Sequence, residues 1–267
     1  MVIDFHAHAF PDSLAPKAIF KLADSIDHLY PPVSDGTVSG LLKNMDEWGI
    51  DISVILPIVT KQSQTEHVNE WAAEAEDQYP GRFICFGSIF PHSGDYKRDI
   101  DFVVSLGLKG LKFHAEYQDF ILDENKMLKI YDYALNKNLI LLHHAGFDPA
   151  FPEPFKSSPE RFKNITKEMR GGVIIAAHLG GHAQWDGVEK FLCGENIYLD
   201  TSMGFEYFPH EQFLRIVKNH GADKILFASD APWSSAKTET EHLKSLPLSE
   251  PDKNMILSGN AKRILNI

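Results

Sequence analysis

Cysteine is scarce. The 267 residues hold two, Cys85 and Cys193, far apart and in apolar contexts (Ile84-Cys85-Phe86 and Phe191-Leu192-Cys193). Such a pair excludes a disulfide scaffold and reads as buried free thiols, in keeping with a reducing, cytoplasmic setting. Positive charge is short as well, with 26 Lys and Arg against 37 Asp and Glu and a net charge of −11. A protein that gains affinity for nucleic acid by neutralising phosphates needs the opposite balance, so nucleic acid is not an expected partner. No apolar run reaches the roughly 20 residues of a membrane span, and Met1 leads straight into Val2-Ile3-Asp4-Phe5 without a basic leader. Neither a membrane partner nor an export signal is expected. Arginine occurs only at 82, 98, 161, 170, 215 and 263, in or beside expected helices or at a strand's entrance. That leaves few bidentate forks for clamping an anionic substrate.

Short runs of Val, Ile, Leu and Phe are plentiful: 2–5, 52–56, 83–89, 107–113, 139–142, 173–177, 197–199 and 225–228. Continuous apolar runs of this length suit strands buried on both faces, the habit of parallel sheets. Amphipathic stretches lie between them, at 37–48, 66–78, 96–105, 127–135, 159–169, 188–193 and 209–219, with a final helical pair at 251–265. In the first of these Val38, Leu41, Leu42 and Met45 form one stripe. Eight strand-helix repeats of about 30 residues are the pattern of a (β/α)8 TIM barrel. No linker, low-complexity tract or charge block divides residues 1–267, which are read as one domain. The first connection is the exception in length. Its segment 10–36, with Pro11, Pro16, Pro31 and Pro32, is too long for a plain loop and is expected to act as a lid or wall over the active-site rim.

Histidine is abundant, at 13 residues, and its placement is informative. His6 and His8 follow the first strand, His114 the fourth, His143 and His144 the fifth, His178 the sixth, and Asp230 the eighth. In a barrel these ends meet at one rim, where catalytic groups are built. Two His at i and i+2 on a strand share a face, so His6 and His8 can reach one ion. A third His and a carboxylate complete a site for zinc or a similar divalent metal. His143 and His144 have opposite strand parity, so one faces the barrel and the other the helices. Lys112 and His114 share a parity and are expected to line the pocket. His182 and Trp185 fall in a loop that should overhang it, and Glu116, Tyr117 and Gln118 are similar cases. His28, His67, His92, His210, His220 and His242 are expected at the surface.

The pattern Ile3-Asp4-Phe5-His6-Ala7-His8, then Lys112-Phe113-His114, His144-Ala145-Gly146, His178-Leu179-Gly180-Gly181 and Ser229-Asp230-Ala231-Pro232-Trp233, resembles the amidohydrolase-related family of TIM-barrel metal enzymes. The likeness runs on to Gly259-Asn260-Ala261-Lys262-Arg263-Ile264-Leu265, which looks like that family's final helix. The resemblance implies that His6, His8, His144 and Asp230 bind the metal and that His178 is a catalytic histidine near the metal-bound water. In two-metal relatives a carboxylated lysine on the fourth strand bridges the ions; for Lys112 the plainer role of a hydrogen bond or ion pair is expected. The family holds both hydrolases and non-oxidative decarboxylases. With few arginines to hold a carboxylated substrate, hydrolysis of a small ester, lactone or amide is the first expectation and decarboxylation the alternative. One divalent ion, zinc before manganese, is expected per chain, with a small-molecule substrate; a homodimer is compatible with the sequence.

Overall fold

All eight apolar runs become strands: β1 (Ile3–Ala7), β2 (Ile52–Ile55), β3 (Phe83–Cys85), β4 (Gly110–Phe113), β5 (Ile140–His143), β6 (Ile174–Ala176), β7 (Tyr198–Asp200) and β8 (Ile225–Leu226). The computed structural model describes residues 1–169 and 171–267; Arg170, one of the six arginines, lies outside the described residues. The ladders β1-β2-β3 and β4-β5-β6-β7-β8 are parallel throughout. Two junctions join them. Gly87 N donates to Gly110 O and Lys112 N to Gly87 O, both at 2.8 Å, while Phe5 N donates to Phe227 O at 2.9 Å and Ala7 bridges to Ala231. The sheet therefore closes on itself as a (β/α)8 barrel.

Strand alternation splits the core in two. Ile140 and Leu142 pack inside the barrel with Phe5, Val54, Phe86 and Leu226, whereas Leu141 joins Leu111, Phe113 and Phe227 in the layer between sheet and helices. That alternation decides which polar side chains can enter the barrel mouth.

The helices are α1 (Ala15–Asp24), α2 (Val38–Trp48), α3 (Thr65–Gln78), α4 (Tyr96–Ser105), α5 (Asn125–Asn136), α6 (Pro159–Glu168), α7 (Trp185–Phe191), α8 (His210–His220), α9 (Ala236–Ser245), α10 (Glu250–Asn254) and α11 (Asn260–Leu265). Thr37 caps α2 by accepting the N–H of Gly40 at 2.8 Å, and Gly49 ends it at φ +73. Two helices depart from expectation. In α1 the proline that argued for a loop sits in the first helical turn, where its missing N–H costs nothing. In α9 Leu243 is the one large apolar residue among the four buried, too little for a readable stripe.

Three local expectations are corrected. Trp185 is the first residue of α7 and not a loop residue. His220 is buried, held between the carbonyls of Leu192 and Ile197 at 3.1 and 2.9 Å. Cys85 is buried but Cys193 only half-buried, and both thiols are free. Among the described residues no helix is long and apolar enough to cross a membrane.

The last helix packs Ala261 and Leu265 into the barrel interior and is tied to the start of β8 by one side chain. Asn260, fully buried, donates its Nδ2 to the carbonyls of Ala222 and Ile225, both at 2.7 Å. Asn260→Ala strips both buried acceptors of this donor, so a loss of about 1–3 kcal/mol is expected. A fall in Tm and in the denaturant midpoint checks it.

Candidate metal centre

The centre begins with a bulge in β1. Asp4 pairs with Ser53 and Ala7 with Ile55, so β1 carries one residue more than β2 over the same span. Ile3 and Phe5 point into the barrel, yet Ala7 packs in the helix-facing layer. The extra residue shifts the alternation and turns His6 and His8 into the barrel mouth, where both line the cavity.

Hydrogen bonds then set the histidine tautomers. Nδ1 of His6 lies 2.9 Å from Asp200 Oδ2, and Nδ1 of His8 lies 2.9 Å from the carbonyl of Leu56. Burial would raise Asp200, but the neighbouring His6 and its other donors outweigh that and hold its carboxyl well below the usual range. Both partners thus only accept, and both rings carry their proton on Nδ1. Their Nε2 lone pairs face each other at 3.2 Å, with Asp230 Oδ1 3.2 Å from each. The two rings are 73° apart, so both can aim at one point. Ligand atoms about 2.0–2.2 Å from one tetrahedral ion lie about 3.3–3.6 Å apart. Three lone pairs at this spacing, two of them on buried side chains, fit a divalent cation. Lys112 Nζ also touches the triangle, 3.0 Å from His6 Nε2, and burial pushes this amine down to about 8.

His178 follows β6 on a left-handed turn, with φ +55 at His178 and +54 at Leu179. For two residues bearing side chains this is strained backbone of the kind found at functional sites. Its Nδ1 lies 2.9 Å from Ser202 Oγ and 3.2 Å from the carbonyl of Ser202. A carbonyl cannot donate, so the proton sits on Nδ1 and Nε2 bears a lone pair. That lone pair faces Nδ1 of His144 at 3.1 Å, which must then be the donor. Nε2 of His144 is left buried and without a partner. Burial lowers both imidazoles below their usual range.

The structure brings together His6, His8 and Asp230 as one donor group. His144, the fourth ligand implied by the motif, gathers instead with His114 and Asp148. His114 Nε2 sits 3.2 Å from Asp148 Oδ2, and its ring stacks on His144 at 4.1 Å and 14°. Parallel rings cannot aim in-plane lone pairs at one ion, so this second cluster lacks the geometry of the first. His144 faces the cavity, whereas His143 is enclosed by Phe113, Tyr131 and Phe162 in the helix layer. Lys112, His114, His178 and His182 also line the cavity. Trp185 does not: its Nε1 donates to the carbonyl of His178 at 3.2 Å and its ring packs edge-on against His182. Trp233 lines the cavity in its place.

The cavity measures about 400 Å³. Leu14, Ile26 and Tyr30 of the long first connection form one wall, with Trp71, Phe147 and Trp233 elsewhere, and among the described residues no arginine reaches it. The connection is fastened by Val33 N to Pro232 O at 2.7 Å and by Tyr30 Oη to His182 Nε2 at 3.2 Å. Asp200 and Ser202 are absent from the residues that the sequence pattern marks for the site. The seventh apolar run stops at Leu199, one residue short of a carboxylate at a strand's C-terminal end, and that position was the available signal. For Asp148, in a loop beyond β5, the sequence offered none.

The family model described as Amidohydrolase matches residues 3–267. No curated protein matches the chain. An uncharacterised TIM-barrel protein from Bordetella bronchiseptica superposes with a TM-score of 0.80 at 19% identity, covering 99% of this chain and 98% of its own. A dihydroxybenzoic acid decarboxylase from Polaromonas sp. JS666, solved with manganese and the inhibitor 2-nitroresorcinol, gives 0.69 at 17% identity over 99% and 96%. A probable 2-pyrone-4,6-dicarboxylic acid hydrolase from Acinetobacter baumannii with bound citric acid gives 0.69 at 16% identity over 100% and 99%. At these identities the likeness is one of fold.

Proposed function

The chain belongs to the amidohydrolase family, and from that premise we propose that it is a metal-dependent hydrolase of a small organic ester, lactone or amide. The observation that carries this reading is the direction of the hydrogen bonds: Asp230 and His178 Nε2 are both proton acceptors at the barrel mouth. Hydrolysis needs acceptors there, to take a proton from water as it attacks.

His6 Nε2, His8 Nε2 and Asp230 Oδ1 would hold one divalent ion. Two imidazoles and a carboxylate suit zinc and manganese, and zinc is taken first because three protein ligands with an open position are its common catalytic arrangement. When bound, the ion supplies a Lewis acid that polarises a carbonyl and acidifies water. Asp230 accepts the proton of the attacking water. His178, whose own proton Ser202 holds on Nδ1, presents at Nε2 the lone pair that faces His144 Nδ1; there it takes up the proton passed on from Asp230 and returns it to the leaving group. Lys112 offers its ammonium to developing negative charge. The walls around Leu14, Ile26 and Trp233 accommodate an apolar substrate body.

Non-oxidative decarboxylation of a small carboxylic acid is the second reading, favoured by Lys112, a buried cation beside the donor triangle that could hold a substrate carboxylate. That reaction must deliver a proton to carbon, and the acceptors at this spot serve it less directly. A metal-replete assay of two panels, lactones, esters and amides against aromatic or enoic carboxylic acids, is expected to show hydrolysis and no CO₂. Metal-dependent CO₂ release that is lost in His178→Asn, with no ester, lactone or amide turned over, would reverse the choice.

A further inference from the structure

His6 and His178 come from different strands, yet one buried side chain holds both. Asp200, fully buried at the C-terminal end of β7, divides its two oxygens between them. Oδ2 accepts from His6 Nδ1 at 2.9 Å. Oδ1 accepts three donors: the backbone N–H of His178 at 3.0 Å, that of Ser202 at 3.0 Å, and Ser202 Oγ at 2.5 Å. With its own proton committed to Asp200, Ser202 Oγ is left to accept from His178 Nδ1, in agreement with the Ser202 carbonyl on the same nitrogen.

We propose that Asp200 is the positioning residue of the centre, a single carboxylate that fixes the His6 tautomer through one oxygen and anchors the strained His178 turn through the other. It rests on the ion site proposed above and not on the class of reaction. The two arms are chemically unequal, which makes the proposal sharp. In Asp200→Asn the amide oxygen must take the Oδ1 place, because three donors converge there. The new NH₂ then faces His6 Nδ1, donor against donor. Relief comes when His6 moves its proton to Nε2, which removes one of the three lone pairs from the triangle. Ser202→Ala, in contrast, leaves the Oδ2 arm untouched and keeps the Ser202 carbonyl as acceptor for His178.

The test uses the full chain, stripped of metal. Long-range ¹H–¹⁵N spectra of the histidine rings report each tautomer, and Zn²⁺ titrated against a chromophoric chelator reports affinity. Wild type is expected to carry the His6 proton on Nδ1; Asp200→Asn should move it to Nε2 and weaken Zn²⁺ binding about 10–100-fold, the usual effect of losing an outer partner of a ligand histidine. Ser202→Ala should keep the His6 tautomer and bind Zn²⁺ within about twofold of wild type while the His178 signals shift. Equal losses of Zn²⁺ in both variants would mark a merely structural role, and no loss in Asp200→Asn would also overturn the proposal. Should Asp200→Asn not fold, the wild-type spectrum decides, since a His6 proton found on Nε2 overturns it and one on Nδ1 supports it. Failure of wild type to bind Zn²⁺ or Mn²⁺, with the His6 proton on Nδ1, would sink the ion site and leave the tautomer assignment standing.

Discussion

Asp230→Ala is expected to empty the ion site and to lower turnover of whichever substrate the two panels identify by at least about 10³-fold, because one side chain serves as both ligand and proton acceptor. The wild-type triangle has 3.2 Å edges with Asp230 Oδ1 as its one anionic corner. Without it two imidazoles remain, and Lys112 Nζ, 3.0 Å from His6 Nε2, repels an incoming cation with only the more remote Asp200 to offset it. Elemental analysis should give about one divalent ion per wild-type chain and far less in the variant. Full occupancy in Asp230→Ala would remove Asp230 from the ligand set. Two ions per wild-type chain about 3.5–4 Å apart would instead point to a two-metal site with Lys112 among its ligands.

The second large effect is expected at His178. His178→Asn should cut turnover by about 10²–10⁴-fold while leaving metal content unchanged, the range for loss of a positioned acid/base group. The reason is geometric. His178 Nε2 faces His144 Nδ1 at 3.1 Å, and its ring lies 5.3 Å centroid to centroid from that of His6, beside the donor triangle but outside it. Loss of metal in this variant, measured on the same preparation as the rate, would place His178 among the ligands.

Much of the fold was legible in one dimension. Strands buried on both faces need unbroken apolar runs, and the eight runs lie where the eight strands form. The helical stripes were readable for the same reason, except where a first-turn proline disguised α1 and where α9 buries too little apolar area to leave a stripe. The candidate centre was legible in its chemistry, because a barrel brings every strand's C-terminal end to one rim. Two His at i and i+2, with further His and an Asp after later strands, are visible in the linear sequence.

Orientation required the tertiary structure. Parity alone, counted inward from Ile3 and Phe5, would turn His6 outward; the bulge between Asp4 and Ala7 reverses this, and a bulge depends on pairing with β2, which no local sequence feature announces. His178 reaches the mouth because its turn is left-handed, a strain sustained by Asp200 from a neighbouring strand. His144 and His143 are adjacent in sequence and alike in chemistry, yet one enters the cavity and the other the aromatic layer against Phe113 and Tyr131. Residue type and spacing along the chain determined which chemistry could assemble. Which nitrogen carries a proton and where each lone pair points were decided by partners up to 194 residues away, as in His6 and Asp200, because a hydrogen bond answers to distance in space and not in sequence.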